Sequence, residues 1–175
     1  MVPGKPSDDD IKLFRQAVDD VKRLDNDKYE PLEVEIPGDT QSVELVAYIT
    51  GHGWGAEKAN CAEFCNHTHH FTVNGDEFMH DQPWVGNNYG CAMQVADGVV
   101  PNQYGTWTLG RAGWCPGLDV KPFVADVTSS VTPGETATLS YQGLFNGADY
   151  QPEPSGSGKG FGANVWMNSW LVFYR

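Results

Sequence analysis

Apolar and polar residues alternate along most of the chain beyond residue 31. Leu32, Val34 and Ile36 are separated by glutamates, and this period of two predicts a strand with one buried face. The same pattern predicts further strands over Val43–Ile49, His67–Val73, Thr106–Leu109, Phe123–Val127, Thr136–Leu144 and Asn164–Tyr174. Because 20 Gly and 11 Pro lie between these short runs, as expected of tight turns, the chain is predicted to be all-β.

The first residues follow a helical pattern instead. Ser7 precedes three aspartates, which is typical of a helix N-cap with acids in its first turn. Apolar residues then recur at helical spacing, at Ile11, Phe14, Val18 and Val21. We therefore expect a short N-terminal helix and linker over residues 1–30, followed by one domain over residues 31–175.

The charge of the chain restricts its partners. With 11 Lys and Arg against 23 Asp and Glu, the formal net charge is -12. A protein that binds phosphate backbones or anionic lipid needs clustered basic residues. In addition, the sequence has no apolar run near the roughly 20 residues of a spanning helix. Nucleic-acid and membrane partners are therefore not expected.

Four cysteines, Cys61, Cys65, Cys91 and Cys115, allow three pairings. The sequence has no CxxC pair, which is the spacing that would indicate a four-thiolate zinc site. We therefore expect disulfides, which form in oxidising compartments. This predicts a secreted or periplasmic protein whose leader is removed or left out of the sequence.

Three segments carry a resemblance to a known family. They are Thr50–Gly55 (TGHGWG), Cys61–His69 (CAEFCNHTH) and Arg111–Gly117 (RAGWCPG). In order and spacing they resemble the C-terminal domain of the peptide-N-glycosidase F family, over roughly residues 43 to 174. The resemblance implies an antiparallel jelly-roll sandwich and the pairing of Cys61 with Cys65 and of Cys91 with Cys115.

The first of these disulfides requires a sharp bend. Cysteines four apart on a straight strand lie roughly 13 Å apart, whereas the Cα atoms of a disulfide lie within about 7 Å. Residues 61 to 65 must therefore turn back, which puts Glu63 at the apex of the turn.

The resemblance also implies roles in the hydrolysis of the bond between a glycan and its asparagine. Glu63 and Arg111 would be catalytic, with Glu63 as an acid/base helper, and Trp54 and Trp114 would bind substrate. The family's principal catalytic aspartate belongs to an N-terminal domain with no counterpart in this sequence. The alternatives are therefore a half-enzyme, an N-glycan-binding domain, or an ordinary exposed Glu63 on a disulfide loop.

Residues 67–70 read His-Thr-His-His, which resembles a motif of another family. The copper monooxygenases of the peptidylglycine α-hydroxylating and dopamine β-hydroxylating type share this fold, and they hold a catalytic copper with such a segment and a distant methionine. Met167, on the last predicted strand, stands where the resemblance would place that methionine. It implies a mononuclear copper site made of His67, His69 and Met167.

Strand geometry is compatible with such a site. Residues i and i+2 point to the same face roughly 6.6 Å apart, so His67 and His69 can converge while His70 faces away. Two imidazoles and a thioether suit copper. The alternatives are structural histidines and a methionine that fills the core.

Three functional hypotheses follow from these residues. The leading one is a secreted copper domain with oxygen or redox chemistry, one copper ion, and an external reductant such as ascorbate. The second is a peptide-N-glycosidase F-like half-enzyme. The third is a module that binds a peptide or glycan without cleaving it.

Overall fold

The computed structural model describes residues 30–54, 61–101, 106–150 and 162–175. Within them lie eight strands: β1 (Leu32–Glu35), β2 (Ser42–His52), β3 (His67–Val73), β4 (Asp76–His80), β5 (Phe123–Asp126), β6 (Thr136–Phe145), β7 (Ala148–Asp149) and β8 (Asn164–Tyr174). Two short 3-10 helices cover Ala92–Asp97 and Thr128–Ser130. The predicted N-terminal helix lies outside the described residues. No helix among the described residues has the length and apolar character needed to cross a membrane.

The strands form two sheets, and every pairing within them is antiparallel. The larger sheet has the order β1-β6-β3-β4, with β7 also paired to β6. The smaller sheet has the order β5-β2-β8. β2 and β8 pair along their whole length, from Ser42 opposite Tyr174 to His52 opposite Asn164.

The core lies between the two sheets. Its buried residues come mainly from alternate positions of β2 and β3, at Val43, Leu45, Ala47, Ile49, Phe71 and Val73. Since β2 and β3 belong to different sheets, their apolar faces pack on each other as in a sandwich. The all-β prediction is confirmed, and the jelly-roll description stays a prediction.

Two strands were not predicted, and each follows an Asn-Gly turn. Asn74 and Gly75 have φ angles of 49° and 94°, and Asn146 and Gly147 have 55° and 76°. Consecutive positive φ angles are typical of two-residue hairpin turns, for which Asn-Gly is a strong signal. These turns pair β3 with β4 and β6 with β7.

The predicted strand over Thr106–Leu109 is wrong. The chain turns there, and the Leu109 N–H donates to the Thr106 carbonyl at 3.1 Å. Four alternating residues between Gly105 and Gly110 are too few to form a strand without a neighbouring strand to pair with.

Both disulfides join the cysteines that the resemblance implies. The Cα atoms are 5.4 Å apart in Cys61–Cys65 and 5.5 Å apart in Cys91–Cys115. The first closes a tight turn in which the Cys65 N–H donates to the Cys61 carbonyl at 2.8 Å. The second lies in a small separate core with Val99.

Candidate functional site

Three loop segments meet at the end of β2. The Gly51 N–H donates to the Ala112 carbonyl at 2.9 Å, and the Ala112 N–H donates to the Glu63 carbonyl at 2.9 Å. The Glu63 N–H in turn donates to the Gly53 carbonyl at 3.1 Å. The three segments that carry the sequence resemblance are therefore one structural unit.

Two glycines allow these segments to approach so closely. A Cβ atom at Gly51 would overlap the carbonyl of Ala62 in the disulfide turn. Gly113 has a φ of 77°, and a Cβ atom there would overlap the carbonyl of Ile49. Both positions therefore require glycine, for close approach in the first case and also for backbone conformation in the second.

An ion pair lies at the centre of the unit. Arg111 Nη1 is 3.4 Å from Glu63 Oε1, and both side chains are largely buried. Arg111 Nη2 donates to Thr106 Oγ1 at 3.1 Å, and its Cζ lies 4.4 Å from the centre of the Trp114 ring. Burial lowers the pKa of Arg111, and the Glu63 carboxylate partly opposes this effect. The guanidinium thus fixes the position of the Glu63 carboxylate.

Trp114 and His52 extend this group towards the surface. Trp114 Nε1 donates to the Gly51 carbonyl at 3.0 Å, which fixes the indole ring. The His52 ring stacks on it with 5.5 Å between centroids. Burial lowers the pKa of His52, and Glu63 acts in the opposite direction.

Trp54 lies two residues beyond His52, with 46% of its surface exposed. The structure therefore brings Arg111 into contact with both Glu63 and Trp114. It places Trp54 on the adjoining segment as an exposed ring.

The two histidines of the predicted metal site lie on the inner face of β3. The His67 and His69 ring centroids are 6.2 Å apart. His69 Nδ1 is 2.7 Å from the Tyr141 hydroxyl, and the His67 ring centre is 4.2 Å from that of Tyr150. His67 is 2% exposed, and among the described residues its Nε2 has no hydrogen-bond partner.

Burial is the main influence on the pKa of both histidines. It lowers the pKa of His67 to about 4. It also lowers the pKa of His69 to about 3, with smaller contributions from the neighbouring His67 and His80. Both rings are therefore neutral at physiological pH.

The family model described as "Peptide-N-glycosidase F, C terminal" matches residues 21–172. The chain belongs to this family. It is 31% identical over 114 residues to peptide-N(4)-(N-acetyl-beta-D-glucosaminyl)asparagine amidase F of Elizabethkingia miricola, a match that covers 62% of this chain and 30% of that protein.

Solved structures of peptide-N-glycosidase F enzymes share the fold. PNGase F of Flavobacterium meningosepticum superposes with a TM-score of 0.61 at 24% identity, covering 90% of this chain and 47% of that one. PNGF-II superposes with a TM-score of 0.57 at 19% identity, covering 82% of this chain and 24% of that one. The chain therefore spans less than half the length of these relatives.

For this member of the peptide-N-glycosidase F family, the predicted copper site is wrong. Met167, the third proposed ligand, packs against the hydrophobic core, and His69 Nδ1 is already paired with Tyr141. Nowhere in the described parts of the chain are three His, Cys, Asp or Glu side chains grouped to hold a metal ion. The comparisons support an amidase relationship and no copper monooxygenase. The predictions of a copper ion and of oxidoreductase chemistry are therefore wrong, and the comparisons give no support to an ascorbate partner.

Three polar contacts of the site were not predicted. Trp84 Nε1 donates to the Arg111 carbonyl at 3.0 Å, Gln82 Nε2 to the Ile49 carbonyl at 3.5 Å, and Thr106 accepts from Arg111. Gln82 and Trp84 lie between strands, where no alternation marks them. The only sequence feature that could have indicated these contacts is Trp84 itself, a tryptophan in a loop that contains glycines.

Proposed function

We propose that this chain is the substrate-binding half of a peptide-N-glycosidase F-type amidase, which recognises the N-acetylglucosaminyl-asparagine unit of a glycopeptide. The observation that carries the proposal is the ion pair between Arg111 and Glu63 of the disulfide-closed turn, in which the Arg111 guanidinium lies over the Trp114 ring. The two disulfides also support the proposal that the protein acts in an oxidising compartment, secreted or periplasmic.

The proposed chemistry divides between Glu63 and its neighbours. Hydrolysis of the amide adds water to the carbonyl carbon and releases the sugar-bearing nitrogen, which must gain a proton. In our proposal Glu63 assists one of these proton transfers, and Arg111 holds the carboxylate in place. The exposed Trp54 supplies a flat apolar surface for the substrate, and Trp114, which stacks on Arg111 and His52, lines the site beside Glu63. The resemblance assigns the principal carboxylate of the reaction to a further domain.

The binding part of the proposal can be measured by calorimetry. We expect a peptide with one N-acetylglucosamine on its asparagine to bind more tightly than the bare peptide. Trp54→Ala should weaken this binding about tenfold, as expected for an exposed tryptophan that becomes buried by a ligand. Tyr174→Ala is the matched control, because Tyr174 is 45% exposed and lies at the other end of the β2–β8 pair. Equal affinity for both peptides would overturn the proposal.

The catalytic part is tested by mass spectrometry of the glycopeptide after incubation with the chain alone. We expect the glycopeptide to be bound and to stay intact, because the resemblance assigns the principal carboxylate of the reaction to another domain. Glycan release that Glu63→Gln abolishes would contradict the proposed division of labour between two domains.

A further inference from the structure

The outer face of the β2–β8 pair carries an unusual number of rings. Alternate residues of β2 fill the core, so Tyr48, Thr50 and His52 point outwards. Trp166 lies opposite Thr50, and Trp170 lies opposite Val46. Tyr48 is 40% exposed and Trp166 is 59% exposed, so these rings lie on the surface.

The rings form a row that begins at the candidate site. His52 stacks on Trp114 and meets the Trp166 ring edge to face, with centroids 6.4 Å apart. Tyr48 meets Trp170 edge to face at 5.9 Å. This second pair continues the row by strand register, because Tyr48 lies on the same face of β2 two residues from Thr50, which is paired with Trp166. We call this row, made of Trp114, His52, Trp166, Tyr48 and Trp170, the aromatic track.

Hydrogen-bonding side chains lie between the rings of the aromatic track. Thr50 is paired with Trp166, and Asn168 is paired with Tyr48. A protein partner is usually bound through a continuous apolar core with polar groups at its rim. A sugar differs because each ring has one apolar face and a circumference of hydroxyl groups. Rings that alternate with hydroxyl and amide groups fit the sugar better.

The charge of this face selects against an acidic ligand. On the three strands of the smaller sheet, the charged residues of this face are Glu44 and Asp126, which lie opposite each other on β2 and β5. The outward positions of these three strands carry no Lys or Arg, and the whole chain has a formal charge of -12. The face is therefore complementary to a neutral ligand and repels an anionic one.

We propose that the aromatic track binds the outer sugars of a neutral asparagine-linked oligosaccharide whose first sugar lies at Glu63 and Trp114. This inference rests on the proposed function, since the track begins at that site. Successive rings receive successive sugars of the chain, and Thr50 and Asn168 bond to their hydroxyl groups. The track adds affinity for long glycans without contacting the amide that is cleaved.

Two glycopeptides with the same peptide separate the inference from the proposed function. One carries a single N-acetylglucosamine and the other a long neutral oligosaccharide on the same asparagine. We expect the long form to bind the wild-type chain about tenfold more tightly, and Trp166→Ala to remove this difference while leaving the short form unchanged. Trp166→Phe, which keeps a ring, should restore most of it. Met79→Ala removes an apolar side chain of similar exposure (51%, against 59% for Trp166) from the other sheet and should change nothing.

Each outcome of this experiment decides one of the two proposals. Equal binding of the two glycopeptides by the wild-type chain overturns the aromatic track and leaves the proposed function standing. Failure of both to exceed the bare peptide overturns the proposed function. If sedimentation shows that Trp166→Ala alters self-association instead of glycan affinity, the face is a protein interface and the inference is wrong. A terminally acidic oligosaccharide that binds as tightly as the neutral one at low salt also contradicts it.

Discussion

At the residue scale, Arg111 joins three different groups of the candidate site. It contacts a carboxylate, a hydroxyl group and an indole ring at once, and a planar guanidinium can do this where an ammonium group cannot. Its burial also means that loss of one partner is not compensated by water. The ion pair is therefore a structural part of the site as well as a candidate for chemistry.

This predicts that Arg111→Lys lowers the free energy of unfolding by about 1–3 kcal/mol, because lysine loses the bond to Thr106 and the stacking on Trp114. Urea unfolding followed by fluorescence measures the change. Arg175→Lys is the control, since Arg175 is exposed and pairs with exposed Asp39. That variant should stay within about 0.5 kcal/mol of wild type. Equal effects of the two substitutions would show that Arg111 is not the centre of the unit.

The buried histidines predict a stability that falls in acid. The pKa of His67 and of His69 is lowered from 6.5 to about 4 and about 3, so below pH 6.5 the unfolded chain binds protons that the folded chain does not. Each such histidine lowers the free energy of unfolding by up to about 1.4 kcal/mol per pH unit as the pH falls from 6.5 towards the folded pKa.

Urea unfolding between pH 7.5 and pH 5 measures the contribution of the buried histidines, because most carboxylates remain ionised in that range. Burial also lowers the pKa of His52 and His80, so these two residues add to the slope. His70→Gln is the control, since His70 lies on the other face of β3, beside exposed Glu77. It should reproduce the wild-type slope. A wild-type stability that is constant over the range would contradict the burial of His67 and His69.

At the element scale, the site depends on how β2 ends. Gly51 lets the strand run directly against the disulfide turn and the loop of Ala112, so the position of Glu63 follows from the position of β2. The strand itself is fixed by its buried apolar face and by pairing with both neighbours.

We therefore expect Gly51→Ala to destabilise the protein by about 1–3 kcal/mol, because the added methyl group must push away the Ala62 carbonyl. It should also weaken glycopeptide binding. Gly38→Ala is the matched control, since a Cβ atom there meets only ordinary van der Waals contact. Its stability should change by less than about 1 kcal/mol. Thermal unfolding and calorimetry test both variants, and an undisturbed Gly51→Ala protein would disprove the close approach.

At the scale of the whole molecule, two covalent links hold loops that the sheets do not. Cys91 and Cys115 are 24 residues apart and form a small core outside the sandwich with Val99 and Leu118. The loop that follows Cys91 and the segment that contains Arg111 are therefore constrained together.

Replacing both Cys91 and Cys115 with serine should lower the free energy of unfolding by about 3 kcal/mol, through the greater freedom of the unfolded chain. Comparison of urea unfolding for this variant and wild type measures the loss. The Cys61 and Cys65 double serine variant should lose less stability, because these cysteines are only four positions apart, and should mainly lose glycopeptide binding. Equal stability losses in the two variants would contradict this assignment.

The all-β class of the fold could be predicted from the sequence, together with residues that the structure then brings into one unit. Alternation fixed the bounds of β3 and β8, because a strand with one buried face must repeat every two residues. Three sequence segments identified the family, and two of these segments contain Glu63, Arg111 and Trp114. Hairpins with Asn-Gly turns were also readable in the sequence, although β4 and β7 were missed.

What each inward side chain meets depends on the packing between the two sheets, which the sequence pattern does not specify. Alternation correctly placed His67 and His69 on one face of β3, but a metal site also needs a third ligand across the sandwich, and Met167 packs into the core instead. The aromatic track likewise exists because the register of β2 and β8 sets Trp166 opposite Thr50. Such contacts join residues more than a hundred positions apart, and a periodic pattern specifies which face a side chain occupies but not its neighbour on another strand.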